Sequence, residues 1–325
     1  MSKKNDLIFI FSLPRSGSTL LQKLLMTHPE INSVSEPWIL LHFVSLFKND
    51  LSLSKYNQNL CVSAFDDSLR KIGKNNYFSI FNNFVKKLYK EATMENGRYF
   101  LDKTPRYYLI IPEIAEIFPN AKFIFLLRNP LSIYSSILQN WTKNSFKTIH
   151  YFNIDLYKGS DLLLKGYQKF RDRSIIINYR DLVKNTDTTL HKVSRYLEIE
   201  FDRFDINKYK NQDLKGDMGD KKGIKKYSYI SKKSLNKWKQ TFSTFARKKI
   251  AKNYIESLND KYFSLINLNK KELIKEINSI KIKKVGIKDL IELILSRGYE
   301  KFKSKIQTQN GMDLFKKNKD NNIFF

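Results

Sequence analysis

Leu7-Ile8-Phe9-Ile10-Phe11-Ser12-Leu13-Pro14-Arg15-Ser16-Gly17-Ser18-Thr19-Leu20-Leu21-Gln22-Lys23-Leu24-Leu25 is the stretch from which the fold is read. Leu7–Ser12 is a continuous apolar run, the pattern of a strand buried on both faces. Pro14–Ser18 reads as a loop. From Thr19 to Thr27, the leucines at 20, 21, 24 and 25 share one helical face. His28-Pro29 ends that helix, because a residue before proline avoids helical backbone. A strand, a Ser/Gly-rich turn and a helix together make an anion site. Backbone N–H groups at the turn point outward and the helix dipole adds to the attraction. Gly17 permits the tight turn, Ser16, Ser18 and Thr19 offer hydroxyls, and Arg15 offers a charged donor. The turn is not the G-x-x-x-x-G-K-[ST] of nucleoside triphosphatases, since it lacks the lysine and the second glycine.

The same alternation continues down the chain. Strands are expected at Ile31–Val34, Arg98–Leu101, Ala121–Leu127 and Ser174–Asn178. Helices are expected at Tyr107–Phe118, Ser132–Trp141, Leu162–Phe170 and Thr188–Leu197, with residues 38–95 mostly helical and irregular. Apolar strands alternating with helices predict an α/β fold with a central, mainly parallel sheet flanked by helices in three layers. Ligands of such sheets lie beyond the carboxyl ends of the strands. Every polar loop of interest follows a strand: 12–18, 35–37, 102–105, 128–130 and 179–181. Residues 207–240 read as a long basic loop or flap, and 241–305 as Lys-rich helix. One domain over 5–265 is expected, followed by a helical, Lys-rich extension over 266–325 whose end frays.

The chain of 325 residues carries 59 Lys+Arg against 32 Asp+Glu, a formal charge of +27. Residues 1–200 hold 28 basic and 18 acidic side chains, and residues 201–325 hold 31 and 14. The excess is therefore denser after residue 200. With 42% hydrophobic and 14% aromatic residues the chain has material for a core, which argues against disorder. Much of the lysine, with abundant Asn and Ile, is also what an A/T-biased genome produces. The single cysteine, Cys61, excludes an internal disulfide or a cysteine metal cluster and fits a reducing compartment. The apolar run at Leu7–Phe11 is too short for a secretion signal, and no run reaches the length of a membrane span. No helix-turn-helix, RNA-recognition sheet or zinc module is present, so no specific nucleic-acid partner is expected.

Pro14-Arg15-Ser16-Gly17-Ser18-Thr19-Leu20-Leu21 resembles the 5′-phosphosulfate loop of sulfotransferases that use 3′-phosphoadenosine 5′-phosphosulfate (PAPS). His28-Pro29-Glu30 and Ser35-Glu36-Pro37 fall where that family carries a His-Pro and an acidic segment. Leu126-Leu127-Arg128-Asn129-Pro130, with Ser132 and Ser136, resembles its 3′-phosphate motif. Tyr179-Arg180-Asp181-Leu182 is similar to its Tyr-x-x-Leu segment. Gly216-Asp217 and Lys237-Trp238-Lys239 extend the likeness to roughly 7–265. The nearest branch is the one with an arginine in the loop, which holds tyrosylprotein and many bacterial carbohydrate or small-molecule enzymes.

The resemblance implies a P-loop-like fold and PAPS as donor, with no metal. PAPS is anionic at two ends, so two clamps are needed. Arg15, Ser16, Gly17, Ser18 and Thr19 are expected at the 5′ side, and Arg128 and Ser136 at the 3′-phosphate. Tyr179 is expected at the adenosine or in the core. Glu36, 21 residues after Arg15, is the candidate base for the acceptor hydroxyl, the role of an acidic residue in the tyrosylprotein branch. Lys103 and Arg15 are expected to stabilise charge on the sulfuryl group or the leaving oxygen. His28 reads as a packing residue and Trp238 as a packing anchor; four scattered histidines form no metal set. The acceptor carries a hydroxyl on a carbohydrate, lipid or small metabolite, an acidic polymer included, with a peptide tyrosine also open, and segments 38–95 and 140–160 are expected to line its site. The flap, with Lys225, Lys226 and Tyr227, is expected over the nucleotide. The basic surface also suits peripheral contact with an anionic membrane, and the setting is read as cytoplasmic and bacterial. Two rivals stay open: a P-loop kinase, with Asp102 holding magnesium, and a non-enzymatic polyanion-binding protein.

Overall fold

A computed structural model describes residues 6–48, 58–93, 97–212, 214 and 230–302. Its centre is a sheet of five strands, all parallel, in the order β2-β3-β1-β4-β5. They are β1 (Asp6–Ser12), β2 (Ile31–Ser33), β3 (Tyr99–Asp102), β4 (Lys122–Leu127) and β5 (Ser174–Asn178). Each lies within a residue or so of the apolar run that predicts it.

β1 runs through the middle and shows why the core has two faces. Alternate side chains of a strand point to opposite sides. Ile8 and Ile10 face one layer with the aliphatic side chains Leu101, Ile124 and Leu126. The helices α1 (Ser18–Leu25), α8 (Tyr179–Lys184) and α9 (Thr186–Leu197) cover it through Leu21, Leu24, Leu182, Leu190 and Val193. Leu7, Phe9 and Phe11 face the other layer, which is aromatic. Phe9 packs on Phe118 at 5.5 Å between ring centres, and Phe11 on Phe123 at 5.1 Å. That layer is covered by α2 (Ile39–Val44), α4 (Lys74–Thr93), α5 (Ile111–Ile117), α6 (Pro130–Asn140) and α7 (Gly159–Lys169). α3 (Gln58–Ile72) precedes α4.

The carboxyl half also joins the aromatic layer. α10 (Lys237–Thr241), α11 (Phe245–Ser257), α12 (Asp260–Leu265) and α13 (Lys270–Ser279) bury Trp238, Tyr254, Tyr262, Leu273 and Ile277 in it. Residues 287–302 form α14, the last helix among the described residues. Among the described residues no helix is long and apolar enough to cross a membrane.

Two expectations need correction. The helix expected over Tyr107–Phe118 is two pieces, a 3-10 turn at Pro105–Leu109 and α5. Pro112 sits in the first turn of α5, where a missing N–H costs nothing, and Ile110 between the pieces is not helical. The segment 207–240 is not one loop: it holds 3-10 turns at Ile206–Lys210 and Lys232–Leu235, then α10. Gly216, Asp217, Lys225, Lys226 and Tyr227 lie outside the described residues.

Strand order sets where the crevice opens. From β1 the chain leaves through α1 to β2 on one side, and from β4 it leaves through α6 to β5 on the other. The loops after β1 and β4 therefore part, at the topological switch point where open α/β sheets bind ligands.

Two measurements check this core. Phe9→Ala should lower unfolding stability by about 3–5 kcal/mol in a denaturant titration, the cost of a buried aromatic. Asp102, at the end of β3, accepts hydrogen bonds from Tyr89 of α4 and from Thr104. Burial pushes its pKa up from 3.8 to about 6, against the pull of those donors. The folded state thus holds this proton more tightly than the unfolded chain, so stability is fully present below the ordinary value and lost as pH rises through about 6. The melting-temperature difference between wild type and Asp102→Asn should shift toward wild type as pH falls through that window; a constant difference would refute the assignment.

Candidate active site

Because all five strands run parallel, their carboxyl ends meet at one edge. Five loops converge there, and they carry the predicted side chains.

The loop after β1 turns on two left-handed residues, Arg15 at φ 66° and Gly17 at φ 92°. Gly17 caps α1. Its lack of a side chain matters twice. The backbone angle disfavours any other residue. A Cβ there would also lie 2.2 Å from Cε2 of Tyr179. Ser16, Ser18 and Thr19 are buried at the mouth of the helix. The Ser16 hydroxyl, like that of Ser12, is buried with no hydrogen-bond partner among the described residues.

The loop after β4 is built by its own side chains. Asn129 Oδ1 accepts from the Leu131 N–H and Pro130 opens α6, so Arg128-Asn129-Pro130 is a helix start as well as a motif. Arg128 donates to the Arg15 carbonyl at 2.8 Å and to the Ser234 carbonyl at 3.2 Å. Its guanidinium lies 4.1 Å from the centre of the Tyr179 ring. Arg15 Nε in turn donates to Ser136 Oγ of α6 at 3.0 Å. Arg15, Gly17, Arg128, Ser136 and Tyr179 are thus one connected group.

A second group lies on the other side of Thr19. Lys103 follows β3 and is 1% exposed; its Nζ meets Glu36 Oε1 at 2.6 Å and donates to Thr19 Oγ1 at 3.3 Å. A buried ammonium this close to a carboxylate avoids the cost of an isolated charge. Glu36 Oε2 also accepts from the indole N–H of Trp38 at 3.3 Å. Gln22 of α1 holds the approach to Glu36 by donating to Ser33 Oγ and to the Val34 carbonyl.

Side chains outside the motifs complete the site. Tyr262 OH donates to the Arg128 carbonyl at 3.0 Å, and Ser234 Oγ shares a hydrogen bond with Tyr179 OH. Trp141, at the end of α6, has its ring centre 5.7 Å from the Arg15 guanidinium. Trp38 had a local signal, an indole two positions from a carboxylate. Tyr262 and Ser234 had none, since Tyr262 lies 134 residues from Arg128 and Ser234 lies 55 from Tyr179. Asp102 is turned away from this edge, buried between Tyr89 and Thr104, which removes the acid that a kinase reading requires. His28 is buried, bonded to the Glu200 carbonyl and packed edge-on to Phe204, as a packing residue should be. Among the described residues no cluster of three His, Cys, Asp or Glu is placed to hold a metal ion.

Known proteins match this arrangement. The model described as "Sulfotransferase family" matches residues 6–203, the span that holds all five strands. Nodulation protein NoeE of Sinorhizobium fredii is 32% identical over 134 residues, covering 41% of this chain and 31% of that protein. A putative protein-tyrosine sulfotransferase of Caenorhabditis briggsae is 19% identical over 265 residues, covering 77% of this chain and 86% of its own. The chain thus spans about a third of the nodulation protein but most of the nematode one. Among solved structures, the sulfotransferase domain from the curacin biosynthetic pathway shares the fold with a TM-score of 0.54 at 19% identity, over 82% of this chain and 99% of that one. The sulfotransferase domain of the Synechococcus PCC 7002 olefin synthase does so with a TM-score of 0.52 at 24% identity, over 73% and 88%. A parallel sheet of this order, a Ser/Gly turn after its central strand and a family match over three fifths of the length lead to one conclusion: the chain belongs to the sulfotransferase family.

Proposed function

We propose that this protein transfers a sulfuryl group from PAPS to a hydroxyl-bearing acceptor. The observation that carries the reading is the connected group Arg15–Ser136 and Arg128–Tyr179, next to but separate from the pair Lys103–Glu36. One molecule with an anion at each end suits the first group: the loop 15–19 takes the 5′ side, and Arg128 with Ser136 takes the 3′-phosphate. The orphaned hydroxyl of Ser16 and the cradle left by Gly17 fit an anion at the loop. Tyr179 closes the cradle and stacks under Arg128, a contact that favours a planar, delocalised cation.

Sulfuryl transfer is an in-line displacement with charge spread over the oxygens, as in phosphoryl transfer. Glu36 accepts the proton of the acceptor hydroxyl. The acceptor oxygen bonds to sulfur while the bond from sulfur to the 5′-phosphate oxygen breaks, and the electron pair stays on that phosphate. Lys103 and Arg15 neutralise the charge that moves. Lys103 stands between Glu36 and Thr19, so one cation serves both the base and the loop. No step asks for a metal ion, because arginine and lysine supply the positive charge.

Carbohydrate, lipid or small-metabolite hydroxyls are the acceptors we favour, in a bacterial cytoplasm. The likeness to protein-tyrosine sulfotransferases supports a second reading, a peptide tyrosine. Both readings use the same base. A panel of acceptors with labelled PAPS separates them.

Calorimetry with 3′-phosphoadenosine 5′-phosphate tests the donor site. Arg128→Ala should weaken binding by about 10- to 100-fold, the loss of hydrogen bonds to a charged group; unchanged binding refutes the assignment. Glu36→Gln should keep that binding and lose about 100-fold or more in turnover, as removal of a general base does. Turnover should persist in EDTA, and ATP with magnesium should give none.

A further inference from the structure

α14 carries, besides the leucines it packs on the core, an apolar stripe that faces outward. Ile287, Ile291, Ile294, Leu295 and Phe302 recur at helical spacing and are each 53–69% exposed. A Cβ added at Gly298, on the same stripe, would meet nothing within 4 Å. The inner side packs Leu290 and Leu293 against the core and is fastened by polar contacts. Asp289 holds Arg247 through two hydrogen bonds of 2.9 Å. Glu292 accepts from Ser145 Oγ and the Phe146 N–H, Ser296 pairs with His150, and Glu300 accepts from Asn153. The acids of this helix are thus spent on the body of the protein. Lys288, Arg297 and Lys301 are exposed along the borders of the apolar stripe, with Lys288 at 3.8 Å from Glu292. Just before the helix, Lys281, Lys283 and Lys284 are also exposed, with Ile282 and Val285 among them.

We propose that α14 docks this protein on an anionic lipid surface. An outward apolar stripe bordered by lysine and arginine, with the acids removed to the opposite side, matches an interfacial helix lying in the plane of a bilayer. The apolar side chains enter the boundary between headgroups and acyl chains, and the cations meet lipid phosphates. Charge decides against a second copy of the chain, since two such faces brought together would oppose cation to cation. The dock also has a mechanical link to the candidate site. The segment 141–153 is tied to α14 through Glu292, Ser296 and Glu300, and its first residue, Trp141, lies against Arg15. α14 lies beyond the matched span 6–203, so this inference stands or falls apart from the proposed reaction.

Flotation of the full chain with phosphatidylcholine vesicles, with and without roughly 30% phosphatidylglycerol, tests it, with binding falling as salt screens the charges. The protein should float with the anionic vesicles and not with the neutral ones. Ile294→Ser with Leu295→Ser should weaken partitioning about tenfold or more, by the apolar area lost. Lys288→Glu with Arg297→Glu should remove the preference for anionic lipid. Both variants should keep the wild-type circular dichroism and melting temperature, because the changed side chains are exposed. No flotation with anionic vesicles, or undiminished flotation of the serine variant, would overturn the proposal. So would a fall in melting temperature of that variant, or its dissociation from a dimer by light scattering, since either would show that the protein itself covers the stripe.

Discussion

The ring of Tyr179 stands where a Cβ of Gly17 would be, and much of the site follows from that contact. It presses the end of β5 against the loop after β1. Arg128 then lies over the ring and bonds the Arg15 carbonyl, and Arg15 reaches back to Ser136. Loops from three strands become one connected surface. Two arginines are held close together by a π face, carbonyls and a hydroxyl. Their guanidinium groups are thereby oriented in advance, as the proposed donor site requires.

Lys103 and Glu36 form a direct pair. Here the charges cancel, in a place from which water is nearly excluded. Removing charges from water is expensive, and a buried pair recovers that cost only with good geometry and further hydrogen bonds. Thr19 and Trp38 provide them. A pair of this kind does little for net stability, and its position at the mouth of α1 suits the role proposed for it. The same reasoning separates it from Asp102, one residue earlier. Its carboxyl is buried with neutral donors, and burial raises its proton affinity instead.

The strands were legible because they are buried on both faces, and a doubly buried strand leaves an uninterrupted apolar run. Arg15, Lys103 and Arg128 were legible for a related reason: a charged residue directly after such a run has nowhere to go but the strand's end. Gly17 read correctly as a turn residue, but the reason for it, a tyrosine 162 positions later, is invisible locally. Tyr262 and Ser234 belong to the same class, as contacts between distant segments leave no periodicity. Pro112 shows the limit in the other direction. A proline inside an apolar periodic run was compatible with one helix or two, and only tertiary packing chose.

Three tryptophans serve the whole chain, and their distribution has an optical consequence. Trp38 touches the carboxylate of the Lys103–Glu36 pair, and Trp141, at 42% exposure, faces the guanidinium of the anion loop. Trp238 is sealed in the aromatic layer. The emission of the protein is therefore divided between one constant interior source and one indole beside each half of the site. A ligand bound at either half of the proposed site is then expected to alter the emission of the indole beside it, with Trp238 as an internal reference.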